Sequence, residues 1–383
     1  MAVATTPLDM LWFIPSGGDN RYLAHPQTER PPTPAYLREI AAAADRLGFY
    51  GVLLPTGANC ADAWVTADSL ASTTERMKLL VALRPGLTAP AEAVRQAAAL
   101  DRLTGGRALL NVVTGGNPAA LAADGLFLDH EQRYVQTGEF MHIWTALARG
   151  ETVTFESRHL TIKNGRLLFP FVQEPYAPIY FGGSSEIARD IAAEHVDVYL
   201  AWGEPVADLK ILFDDVRQRA AKRGRNIRFG VRLHLIVRET EDEAWAAAND
   251  LIRYVSDDDI EQFQRRINEG SDSVGQSRMT ALHNGGSRAN LVIGPNLWAG
   301  IGLVRTGAGT ALVGTPEQVA ARIQEYADAG ADTIVASGYP HLEEAYTVAE
   351  LLFPHLTLRH PTGETLSAPA ASSSYVAKPQ KAA

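Results

Sequence analysis

One cysteine in 383 residues, Cys60, leaves no partner for an intrachain disulfide and no cysteine-rich metal site. The histidines are scattered, with no H-x-x-x-H pair and no clustered carboxylates, so no metal centre is expected. No apolar run is long enough to span a bilayer, and no charged and apolar leader precedes Asp9. A cytoplasmic protein with no membrane partner is the expectation. Positive charge is also short: the net charge is −9, which argues against nonspecific nucleic-acid binding. No G-x-G-x-x-G follows the first apolar stretch, so a dinucleotide-binding open sheet is disfavoured. What is present is 46% hydrophobic and 21% charged, the balance of an ordinary globular chain with a substantial core.

Apolar runs and helical periodicity alternate along the chain. Strands are predicted at 8–15, 50–55, 79–83, 107–113, 178–181, 196–202, 228–238 and 333–337. Helices are predicted at 36–47, 61–74, 91–103, 131–148, 185–194, 205–223 and 342–352. Eight such alternations describe a parallel sheet closed as a (β/α)₈ TIM barrel, a single domain over 1–361. A hairpin is inserted near 152–168. The regularity breaks over 240–308, where charged helical sequence gives way to a stretch rich in Gly, Ser and Asn at 269–296. That segment is expected to lie over the barrel mouth as a lid. The tail, 362–383, is rich in Ala, Ser and Pro, and is expected to be flexible or an arm onto a neighbouring subunit.

The most informative strand is the seventh. Phe229, Val231, Leu233, Leu235 and Val237 fall on one face, and Gly230, Arg232, His234 and Ile236 on the other. A fixed cation and an imidazole two residues apart suit an enzyme that handles an anion. On this strand alone, a buried ion pair with a satisfied core histidine is an equal reading.

In a barrel of this kind the chemistry sits at the carboxyl ends of the strands. Those ends supply Trp12 and Phe13, Cys60, Asn111, Gly183-Ser184-Ser185, Trp202 with Glu204, Arg232 and His234, and Tyr339 and His341. Arg305 comes from the loop before the last helix pair. The mouth is thus aromatic and cationic, with few carboxylates, which suits a flat cofactor and an anionic substrate. Gly182-Gly183-Ser184-Ser185 opens a helix, so it reads either as a phosphate cradle or as a plain Ser N-cap. A rival phosphate site is the Gly-rich run 305–310. His130 and Tyr134 share a face at a helix start. Cys60 reads as a small filler or a nucleophile.

Taken together, LWFIPSGGDNRYL, the TG-x-x-C-x-DAW of 56–64, LDHEQRY, YFGGSSE, WGEP, RFGVRLHLIVRET, NLWAGIGLVR-x-GAGTALVG and SGYPHLEEAY closely resemble the alkanesulfonate monooxygenases of the bacterial luciferase-like group. The resemblance runs from about Leu8 to about Leu356. It implies a barrel with an insertion, a homotetramer, and reduced FMN supplied by a separate NAD(P)H:FMN reductase. It implies cleavage of a carbon–sulfur bond with O₂, giving an aldehyde and sulfite. An alternative is a relative acting on another small organosulfur compound or an alkane. By the same resemblance Arg232 and Arg305 match the arginines that bind sulfonate and peroxide, and His234, Tyr339 and His341 match active-site polar groups. Cys60 matches the family cysteine near the flavin, and Trp12 and Trp202 are expected to wall the substrate. Asn111, His130, Tyr134, Gly183, Ser184 and Ser185 are expected to bind the flavin. Ala58-Asn59 stands where the group usually has Arg-Ser, Ser16-Gly-Gly-Asp-Asn-Arg21 where it usually has Thr-His-Gly-Asp-Gly-His, and Thr306 where it usually has glycine.

Overall fold

Eight parallel strands close on themselves: β1 Asp9–Phe13, β2 Gly51–Leu54, β3 Lys78–Leu83, β4 Ala108–Val112, β5 Ile179–Phe181, β6 Val198–Trp202, β7 Arg228–Val237 and β8 Ala331–Ser337. The computed structural model describes residues 7–362 and the short strand Thr365–Leu366, so most of the Ala/Ser/Pro tail lies outside the described residues. Strand order follows chain order, and β8 closes between β7 and β1. The expected barrel is therefore the observed one.

The side-chain alternation sorts the strands into an inside and an outside. Leu11, Leu53, Leu80, Leu109, Val198 and Val335 fill the barrel interior. Their odd-register neighbours, such as Met10, Val52, Leu110 and Ile334, pack outward against the helices. β2 is buried along its whole length, as its unbroken apolar run requires. At the amino end of the strands the interior is closed by charge: Arg228 pairs with Asp9 at 2.5 Å and Asp332 at 2.6 Å.

The helices are α1 Pro34–Leu47, α2 Ala63–Ala71, α3 Pro90–Leu103, α4 His130–Ala148, α5 Glu186–His195, α6 Val206–Lys222, α7 Pro316–Asp328 and α8 His341–Leu351. Local signals fix their ends. Thr33 caps α1 and Gly48 ends it at φ 89°. Asp129 and Gln132 form a capping box on α4. α7 is absent from the periodicity reading above, yet Thr315 and Gln318 form a capping box with Pro316 at the first turn. That triplet was the available signal. The hairpin forms, with Val153–Glu156 paired to Thr161–Gly165.

The segment after β7 is folded. It contains helices Glu241–Leu251, Asp257–Gly270 and Val274–Ala281 and returns through Ala311–Gly314. That returning strand pairs in parallel with the upper half of β7, His234–Val237, while the lower half, Arg228–Arg232, pairs in parallel with β6, Val198–Trp202. The insertion thus wedges into the barrel wall beside the two residues singled out on β7. It has its own apolar core, including Ala248, Ile260, Trp298 and Ile301.

Candidate active site

β7 turns Arg232 and His234 inward, because Val231, Leu233 and Leu235 belong to the outer core. Arg232 is 7% exposed and has no carboxylate partner among the described residues. Its Nη1 donates to Leu233 O at 2.7 Å, and its Nη2 to Ser337 Oγ at 2.9 Å. Its guanidinium lies 4.8 Å from the centre of the Phe13 ring. Burial and the nearby Arg305 charge pull Arg232 down to about 9. The ion-pair reading of this strand is therefore set aside.

Arg305 reaches the same place from the insertion. Its Nη1 is 3.2 Å from His234 Nε2, and its guanidinium sits over Phe13 at 5.6 Å and Tyr339 at 5.8 Å. Gly302 and Gly309 allow this loop to close: Gly302 N donates to Gly309 O at 2.9 Å, and a Cβ on Gly309 would lie 2.6 Å from Gly302 Cα. Two unneutralised guanidinium groups on one aromatic floor leave a position that an anion would stabilise.

His234 is fully buried, 2.7 Å from Ser337 Oγ through Nδ1 and 3.1 Å from Ala308 O through Nε2. Burial, then the Arg232 and Arg305 charges, hold it well below 6.5. The imidazole expected to titrate near neutrality is thus a neutral ring with both nitrogens engaged. Tyr339 stacks on it at 5.4 Å, and His341 meets Tyr339 edge-on at 5.1 Å.

Trp12 does not line this space. It points outward from β1, fully buried against Phe49, with Nε1 donating to His341 O at 3.0 Å. The strand alternation that puts Phe13 inside puts Trp12 in the core, so its assignment to substrate is corrected. Phe13, its neighbour on the strand, faces inward instead. Trp202 does stand at the mouth: a Cβ on Gly275 would be 3.3 Å from its ring and one on Gly307 3.8 Å, so the insertion covers it. Cys60 is half-buried after β2, its Sγ near Gly17.

The expected cofactor residues form a second cluster. A Cβ on Gly183 would lie 2.6 Å from Ala188 Cβ and 3.3 Å from the Tyr134 hydroxyl, so only glycine fits there. Ser185 caps α5 by accepting from Ala188 N, and among the described residues Ser184 Oγ shows no hydrogen-bond partner. The His130 and Tyr134 rings are 4.8 Å apart beside them. Asn111 points inward on β4 above Leu109. Ser184 lies under the insertion: a Cβ on Gly275 would be 3.7 Å from its Oγ. A glycine cradle, a helix start, a free serine and a tyrosine are a donor set that fits a phosphate. At the ends of β2 and β3 a cavity of about 380 Å³ opens among Thr56, Gly57, Arg84, Gly86, Leu87 and Asp124.

Ion pairs hold the insertion down over both clusters. Arg278 Nε donates to the buried Glu204 at 2.9 Å, and Arg133, 1% exposed, pairs with Asp272 at 2.6 Å. Asp19, Tyr36 and Ser337 also contact site residues and were not singled out by sequence. Ser337 was readable, since it continues the inward register of Thr333 and Val335 on β8.

Known folds resemble this one at low identity. Riboflavin lyase, solved with a modified FMN and riboflavin, superposes with a TM-score of 0.74 at 20% identity, covering 91% of each chain. A long-chain alkane monooxygenase gives 0.71 at 22% identity, covering 91% of this chain and 90% of its own. The EDTA monooxygenase of Chelativorans sp. BNC1 gives 0.70 at 18% identity, covering 90% and 92%. Other neighbours use coenzyme F420, such as the tetrahydromethanopterin reductase of Methanopyrus kandleri, at 0.65 and 17% identity over 92% and 100%. Residues 8–333 match the luciferase-like monooxygenases, which places the chain in that family.

Proposed function

We propose that this protein is a reduced-FMN-dependent monooxygenase that cleaves the carbon–sulfur bond of an alkanesulfonate. The observation that carries the reading is Arg232: a buried guanidinium without a carboxylate, beside a second guanidinium. A neutral substrate would leave both charges uncompensated, at a desolvation cost of several kcal/mol. A sulfonate offers three acceptor oxygens to their paired N–H donors.

Gly183, Ser184 and Tyr134 would hold the phosphate of FMN, and Asn111 and the aromatic mouth its ring. When bound, reduced FMN would supply the two electrons that activate O₂. The chain's own contribution is placement. Arg232 fixes the sulfonate from a rigid strand, and Arg305 from the insertion. Phe13, Tyr339 and Trp202 exclude water, and the insertion covers the site. In this reading a separate NAD(P)H:FMN reductase supplies the cofactor, the protein works as a homotetramer in the cytoplasm, and 240–308 acts as the lid. The test is sulfite release with a flavin reductase across methane- to octanesulfonate. Product from F420 or from a hydrocarbon, without sulfite, would place the chain elsewhere in its family.

A further inference from the structure

At the mouth, His341 is the histidine whose second nitrogen is uncommitted. His234 uses both of its nitrogens on Ser337 and Ala308. His341 uses Nδ1, 2.8 Å from Asp19 Oδ1, and its Nε2 is buried without a partner among the described residues. The ring lies 5.7 Å from Phe13 and 5.1 Å from Tyr339, the same rings that carry the Arg305 guanidinium.

Asp19 determines which nitrogen bears the proton. Its carboxylate accepts from the Tyr36 hydroxyl at 2.5 Å, from His341 N at 2.7 Å and from Asn20 N at 2.8 Å. A group surrounded by donors is an acceptor, so Nδ1 carries hydrogen toward it and Nε2 carries the lone pair. We propose that His341 Nε2 is the general base of the reaction and that Asp19, held by Tyr36, is the residue that positions it. Burial outweighs the Asp19 carboxylate and, with the Arg305 and Arg232 charges, holds the ring below 6.5, so it is neutral and able to take a proton at pH 7.

The inference rests on the proposed reaction, whose balance requires such a base. R–CH₂–SO₃⁻ with O₂ and FMNH₂ gives R–CHO, SO₃²⁻, FMN, H₂O and one H⁺. One C1 hydrogen is lost, the C–S electron pair leaves on sulfur, one oxygen atom of O₂ enters the aldehyde and the other becomes water. The two electrons come from the reduced flavin. The released proton passes to Nε2 and then to solvent.

Two measurements test this. The first is the side-chain ¹⁵N spectrum of the protein without ligands, with His341 assigned by its absence in His341→Gln. An Nδ1–H tautomer is expected, and an Nε2–H tautomer overturns the assignment. The second is turnover of a C1-deuterated sulfonate. Asp19→Asn is expected to lower kcat by about 100-fold with KM within about 3-fold, and to raise the isotope effect as proton removal becomes limiting. A kcat within about 3-fold of wild type with an unchanged isotope effect overturns it. If Asp19→Asn fails to fold, Tyr36→Phe takes its place, with a smaller loss of kcat and the same rise in isotope effect. If the wild-type protein releases no sulfite from any sulfonate, the proposed function fails, and the tautomer alone decides the geometry.

Discussion

Replacing Arg232 with methionine is expected to make the protein more stable while abolishing its use of anions. Methionine keeps much of the side chain's volume and removes the charge. Keeping charge on a guanidinium drawn down from its ordinary value to about 9 by burial and Arg305 costs roughly 5 kcal/mol. Against this, the variant forfeits the hydrogen bonds to Leu233 O and Ser337 Oγ, about 1 kcal/mol each. The balance is a gain of about 3 kcal/mol. Urea unfolding of both proteins, with and without a sulfonate or sulfate, measures it. Wild type is expected to gain about 2.7 kcal/mol at an anion concentration 100 times its Kd, and the variant nothing. A variant destabilised by about 2 kcal/mol or more, together with a wild type indifferent to anions, would mean that Arg232 is a structural residue and the reasoning is wrong.

Other expectations follow from the same geometry. Ser184→Ala with Tyr134→Phe is expected to weaken FMN binding about 10-fold or more, read by fluorescence titration, because two donors are lost around a glycine cradle. Unchanged titration would move the phosphate to the 305–310 loop. Arg278→Met leaves Glu204 buried and unpaired, so the Val274–Ala281 helix is expected to become sensitive to limited proteolysis and sulfite yield per flavin to fall. Wild-type protease resistance would argue against the pair as a clamp. His234 lies well below 6.5 in the folded state, so only the unfolded chain binds its proton as pH falls through 6.5, and stability is lost on the acid side. His234→Gln is expected to flatten the stability slope below pH 6.5 by up to ~1.4 kcal/mol per pH unit, and an unchanged slope would contradict it.

The barrel was legible because its strands carry two kinds of pattern. Unbroken runs such as Tyr50–Pro55 mark strands covered on both faces, and the alternation of Arg228–Arg238 marks the one whose inward face is polar. That alternation placed Arg232 and His234 correctly on the inner side. It also contained the correction for Trp12: residues one apart on a strand cannot both face the mouth, and Leu11 and Phe13 are the inward pair. What could not be read was pairing at a distance. Asp19 and His341 are 322 residues apart, and nothing local to the Gly17-Gly18-Asp19 turn indicates that its carboxylate receives a histidine. The Gly, Ser and Asn of 269–296 carry no helical signal, yet Arg278 and Gln276 anchor the short helix Val274–Ala281 to Glu204 and Gly307. Long-range anchors of that kind stabilise a sequence whose own propensity is weak. Whether Ser185 is a cap or a phosphate ligand was also open, and the geometry shows it capping α5.

The most direct test of the central claim is a single turnover with reduced FMN, O₂ and either an alkanesulfonate or the methyl sulfone of the same chain. The two differ in charge and little in size. If Arg232 and Arg305 form the substrate's anion site, the sulfonate gives close to one sulfite and one aldehyde per flavin, and the sulfone gives neither aldehyde nor sulfinate. Equal turnover of the sulfone, or flavin oxidation without sulfite from the sulfonate, would contradict the account.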